Sequence, residues 1–110
     1  MNDSLWFLLF LLFAVPPVLV EVSPALLIQK EGESVEIFCE AKATPRPTLT
    51  WYKEGVELVA SESVTISGNT VHLRGLRRDD AGVYMCLFKN LVGSVSHIIK
   101  LAVEGNNTII

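Results

Sequence analysis

Asp79-Asp80-Ala81-Gly82-Val83-Tyr84-Met85-Cys86 is the stretch on which the fold turns. From Gly82 to Asn90 it continues as an alternation, with Tyr84, Cys86 and Phe88 on one face and Val83, Met85 and Leu87 on the other, the period of two that marks a β-strand. The two aspartates ahead of the glycine read as a turn, in which Asp80 accepts hydrogen bonds from neighbouring N–H groups. Gly82 is expected where the chain comes close to another part of the molecule, because a residue without Cβ tolerates such an approach.

Period two recurs on either side of this stretch. Val35, Ile37, Cys39 and Ala41 alternate with Ser34, Glu36, Phe38 and Glu40, one face buried and the other mostly wet. Leu49 and Trp51 share a face opposite Thr48, Thr50 and Tyr52. Pro45 and Pro47 mark the loop before that strand, since proline cannot donate to a central ladder, and Lys53-Glu54-Gly55 marks the turn after it. Val64 and Ile66, then Val71 and Leu73, flank Ser67-Gly68-Asn69, a trio suited to a hairpin. Ile99, Leu101 and Val103 fall in phase in a last strand, and Val18 to Val22 and Ala25 to Lys30 supply strands at the front. Seven or more short strands at turn intervals, with no apolar period of 3.6, predict an all-β sandwich of antiparallel sheets.

The chain is 110 residues long, the size of one domain, with 12 acidic and 9 basic side chains. A net charge of −3 argues against nucleic acid as a partner, because a phosphate-backbone binder needs a basic face. Leu5 to Val15 is an uninterrupted apolar run of eleven residues, short of the roughly 20 needed to cross a bilayer. It reads as the apolar core of a secretory signal peptide, although no Lys or Arg precedes it and Pro16-Pro17 crowd the cleavage zone. The expected organisation is a signal segment within residues 1–20, ending between about 15 and 20, one domain over 16–104, and a short tail or linker over 105–110. No transmembrane anchor is expected in this chain.

Trp51 stands 12 residues after Cys39, and Cys86 stands 47 after it. Both cysteines lie on inward faces of their strands, so a bridge between them would cross the two sheets. Cys39, Trp51 and the D-x-G-x-Y-x-C pattern of Asp80 to Cys86 together resemble the immunoglobulin superfamily, and most of all its intermediate, or I-set, type. Pro16-Pro17, Glu31-Gly32-Glu33-Ser34-Val35, Pro45-x-Pro47 and Asn90-x-x-Gly93 carry the I-set flavour, and Val56 to Ser63 leaves no room for the extra strand pair of a variable domain. The resemblance covers residues 16–104. It implies a Greek-key sandwich, a Cys39–Cys86 inter-sheet disulfide packed by Trp51, and a tyrosine corner at Tyr84. Closing a loop of that length stabilises by about 4 kcal/mol in the chain-entropy model.

Catalysis finds no support. His72 and His97 fall on separate strands, and no nucleophile elbow, zinc-protease helix or phosphate loop is present, so no catalytic residue, cofactor or metal is assigned. Glu31, Glu33, Glu36 and Glu40 read as solvated positions, and Arg77-Arg78 beside Asp79-Asp80 as a solvated turn with little net field. The apolar outward positions are more informative. Tyr52, Val83, Met85, Leu87 and Ile98 are predicted on the wet face of the sheet that holds Trp51 and Cys86, forming a candidate protein-binding face. Asn106-Asn107-Thr108 is a candidate N-glycosylation acceptor.

What the resemblance implies is an extracellular module that recognises proteins, in homophilic or heterophilic contacts, in cell adhesion or receptor–ligand binding. Two alternatives stand beside it: a piece of a receptor kinase or matrix protein, and a structural module of an intracellular muscle filament protein whose thiols stay reduced.

Overall fold

A computed structural model describes residues 4, 5, 8, 12–105, 108 and 109. The strands are β1 (Val15–Val22), β2 (Leu26–Lys30), β3 (Val35–Thr44), β4 (Thr48–Lys53), β5 (Val56–Glu57), β6 (Val64–Ser67), β7 (Thr70–Leu73), β8 (Gly82–Asn90), β9 (Gly93–Gly105) and β10 (Thr108–Ile109), with a 3-10 turn at Arg78–Asp80. They form two sheets, ordered β1-β3-β7-β6 and β10-β9-β8-β4-β5, with β2 beside β9 in the second. Every pairing is antiparallel except β2 with β9, which is parallel. Among the described residues, no helix is long and apolar enough to cross a membrane.

The alternation read from the sequence becomes the core. Ile37 and Cys39 from β3, Val71 and Leu73 from β7, Tyr84, Cys86 and Phe88 from β8, and Ile99, Leu101 and Val103 from β9 pack with Trp51, Val64 and Leu76 into one buried cluster. These are the in-phase positions of each strand, which a pleated ribbon sends to a single face. Burying a Leu-, Ile- or Val-sized side chain contributes about 1.5–3 kcal/mol. Residues 15–105 hold β1 to β9, the bridge and every member of this cluster.

Cys39 and Cys86 are joined in a disulfide and are fully buried. Trp51 is buried directly opposite Cys86 in the β4–β8 register. Its indole Nε1 is the one buried side-chain nitrogen or oxygen without a hydrogen-bond partner among the described residues, so its contribution to the core is made through its apolar ring.

β1 begins one residue before the expected domain start and contains Pro16-Pro17. Its register against β3 shifts between Val15 and Val18, where two successive residues lack the N–H a regular ladder needs. The chain then changes sheets at Ser23-Pro24-Ala25. Ser23 N–H donates to Phe38 O at 2.8 Å, and Ser23 Oγ accepts from Phe38 N–H at 2.8 Å. On the other side His97 Nε2 meets the Ser23 carbonyl oxygen at 2.8 Å, which makes Nε2 the protonated nitrogen.

The structure adds two short strands to the sequence reading. The middle segment holds one two-residue strand, β5, formed because Glu54 adopts a φ of 51° in the turn after β4. The expected tail also returns as a strand, β10, pairing Thr108 with Gly105 and Ile109 with Glu104, where the end of β9 still offers backbone groups.

Candidate protein-binding face

The 3-10 turn before β8 fixes the start of that strand. Asp80 Oδ2 accepts from Arg77 N–H at 2.8 Å, and Tyr84 Oη donates to Asp80 O at 2.5 Å. Burial pushes the Tyr84 phenol well above its usual pKa, and the carboxylates of Asp80 and Glu54 push it further, so the hydroxyl stays a donor. Lys53 Nζ donates to Asp79 O and lies 5.8 Å from the centre of the Tyr84 ring. Gly82 is needed because its φ is +151° and because a Cβ there would come 2.4 Å from Glu54 Oε1. The expected close approach is made by this side chain. The same Glu54 oxygen accepts from Val83 N–H at 2.7 Å, so the β4–β5 turn and the start of β8 are tied together.

The other end of β8 is tied by Asn90. Its Nδ2 donates to Val15 O at 2.7 Å and to Pro45 O at 3.2 Å, while Oδ1 accepts from Val92 N–H at 3.1 Å and Gly93 N–H at 3.2 Å. One side chain thus joins the first strand, the β3–β4 loop and the β8–β9 turn. Pro16 packs so close that a Cβ on Gly93 would meet the proline Cβ at 2.9 Å.

Between these two anchors β8 presents its outward side chains in fixed register. Tyr52 of β4, Met85 of β8 and Ile98 of β9 lie directly opposite one another in a row across three strands. One pair along β8, Val83 opposes Lys100, and on the other side Leu87 lies between Thr50 and Ser96. The five residues picked from the sequence are therefore brought together. Their exposure is uneven: Ile98 (55%) and Val83 (38%) are open to solvent, whereas Tyr52, Met85 and Leu87 are half-buried by their neighbours.

The face is also wider than the sequence reading drew it. Parallel pairing sets Leu26 beside Lys100 and Ile28 beside Ala102, so β2 adds two more apolar side chains, each 53% exposed. The alternation of Leu26 and Ile28 was visible in the sequence; their partner strand was not.

Asn106 lies outside the described residues. No group of three or more His, Cys, Asp or Glu that could hold a metal ion occurs among the described residues, and His72 and His97 stand apart, the first 3.9 Å from Glu36 and the second on Ser23.

The family model described as immunoglobulin domain matches residues 16–90, two thirds of the chain. The chain belongs to the immunoglobulin family. This immunoglobulin module is 34% identical over 90 residues to protein turtle homolog B of Rattus norvegicus, covering 82% of the module and 7% of that protein. It is 33% identical over 75 residues to lachesin of Drosophila melanogaster, covering 68% of the module and 21% of that protein. Among solved structures, a complex of titin and obscurin-like 1 immunoglobulin domains matches with a TM-score of 0.79 at 24% identity, over 86% of the module and 99% of the matched chain, a likeness of fold alone. The module spans a fraction, from 7% to 21%, of the length of these two curated relatives. The family's modules are not enzymes.

Proposed function

We propose that this immunoglobulin module acts outside the cell or on its surface, recognising a protein partner in cell adhesion or receptor–ligand binding through the outward face of β2, β9, β8 and β4. The observation that carries the reading is the row Tyr52–Met85–Ile98, flanked by Val83, Leu26 and Ile28. Contiguous apolar side chains on a solvent face mark interaction surfaces, and Tyr and Met are favoured at interface centres. The buried Cys39–Cys86 bridge supports an oxidising compartment, since such bonds persist in secreted and surface proteins and are rare in the cytosol. The Leu5–Val15 run is the segment that would direct the chain there.

The test is the binding of fluorescently tetramerised module to intact cells, wild type against Met85→Glu and Ile98→Glu. Both variants should lose surface binding while keeping the melting temperature of a folded, oxidised domain. Binding that survives both substitutions would remove the face from the reading. Retention of the tagged full chain in the cytosol, with both thiols reduced, would favour the filament-module alternative.

A further inference from the structure

We propose that the partner of this face is a second copy of the chain, in a two-fold dimer that sets Glu57 of each protomer against Lys100 of the other. The inference rests on the reading of the face as a recognition surface. Glu57 is directly opposite Tyr52 in the β4–β5 register and so projects on the same side of the sheet. Lys100 shares that side on β9, between Val83 and Leu26. The two charges are exposed, neither forms an ion pair among the described residues, and the strands between them, β4 and β8, carry Tyr52, Met85 and Val83. A carboxylate thus borders one side of an apolar strip and an ammonium the other.

That arrangement is self-complementary. A two-fold axis running along the strands between β4 and β8 lays each β4 over the partner's β8 and each β5 over the partner's β9. Tyr52 then packs on the partner's Met85, and Glu57 lies over the strand that carries the partner's Lys100. Lys100 is one outward position along from Ile98, a step of about 7 Å that the four-carbon lysine stem spans. Because the contact is isologous, every such pair occurs twice.

The size of the face sets the strength. The four strands that overlap, β5, β4, β8 and β9, about 4.8 Å apart with about 17 Å of usable strand length, give about 330 Å² per protomer, or about 650 Å² in all. That is below the roughly 1,200 Å² of a stable complex, so the dimer is weak and suits contacts multiplied between two surfaces.

Sedimentation equilibrium of oxidised residues 15–110 tests it. The wild type should dimerise with increasing concentration up to about 0.5 mM. Glu57→Lys and Lys100→Glu should each weaken dimerisation at least about tenfold, since each replaces two attractive pairs by two repulsive ones. An equimolar mixture of the two variants, and the doubly reversed chain, should return to within about threefold of wild type. Met85→Glu should abolish the dimer. A wild type that stays monomeric, charge reversals without effect, or a mixture that does not recover overturns the proposal. If the wild type is monomeric while Met85→Glu and Ile98→Glu still lose cell binding, the recognition face stands and the second copy is excluded as its occupant.

Discussion

Replacing Asn90 by alanine removes four hydrogen bonds, two donated to Val15 O and Pro45 O and two accepted from Val92 N–H and Gly93 N–H. A neutral hydrogen bond contributes about 1 kcal/mol net, which sets a ceiling of about 4 kcal/mol. The site is half-buried, so water reaches some of the freed backbone groups, and the two bonds beyond 3.1 Å count for less. The expected loss is about 2 kcal/mol, a fall in Tm of about 8–16 °C for a domain of this size. Urea unfolding of the oxidised protein measures it, with an unchanged m-value showing that the native fold is kept. Hydrogen exchange locates it: the amides of Val92 and Gly93 should lose protection, while those facing each other across β8 and β9 at Tyr84 and Ile99 should not. Asn90→Asp separates the two halves of the side chain, because it keeps the acceptor and loses the donor that holds Val15 and Pro45. A carboxylate facing two carbonyl oxygens should cost as much as alanine or more. A loss below about 0.5 kcal/mol for Asn90→Ala would refute the account of Asn90 as the tie among three segments, because that is the range of an ordinary surface substitution.

Two further outcomes follow from the other end of β8. The Tyr84 phenol has its pKa raised in the folded state, so the folded chain holds that proton more tightly than the unfolded one; stability is fully present below about pH 10 and falls as pH rises above it. Tyr84→Phe should flatten this alkaline fall in pH-dependent urea titrations while lowering stability at pH 7 by about 1 kcal/mol for the lost bond to Asp80 O, and a fall of unchanged slope would count against the assignment. Gly82→Ala should cost about 1–3 kcal/mol, because the new Cβ displaces the Glu54 carboxylate and the backbone stays at a φ of +151°. Since Glu54 is already displaced, adding Glu54→Ala should cost less than it does alone, and strict additivity in the double-mutant cycle would contradict the Glu54–Gly82 contact.

The inward-facing residues were legible because burial imposes a period. Ile37 and Cys39, Tyr84, Cys86 and Phe88, and Ile99, Leu101 and Val103 are in-phase sets in the sequence and members of one cluster in the structure. The bridge was legible only through the spacing of Cys39, Trp51 and Cys86 taken with the resemblance it supports. The outward face was legible for Tyr52, Val83, Met85, Leu87 and Ile98, whose strands are long and strongly patterned. Leu26 and Ile28 were missed because β2 is short and its parallel pairing with β9 joins segments more than seventy residues apart, which no local pattern records. Glu54 and Asn90 were missed for a related reason. One lies in a turn and was read as such, the other in a hairpin motif, and each acts through long-range hydrogen bonds that alternation cannot signal.

The parallel pairing of β2 with β9 also decides how the module bears load. The chain enters at Leu26 and runs to Lys30 alongside Lys100 to Glu104, so tension applied between the two ends pulls the strands in opposite directions along their common axis. The hydrogen bonds of five residue pairs then share the force at once, in shear, instead of opening one after another as in a peeled hairpin. Upstream of the sheet change at Ser23, β1 is held to β3 across a register interrupted twice and would yield first, while β2 and β9 keep the rest closed. The order of rupture is built into the topology: β1 would give a little slack before the β2–β9 pair fails.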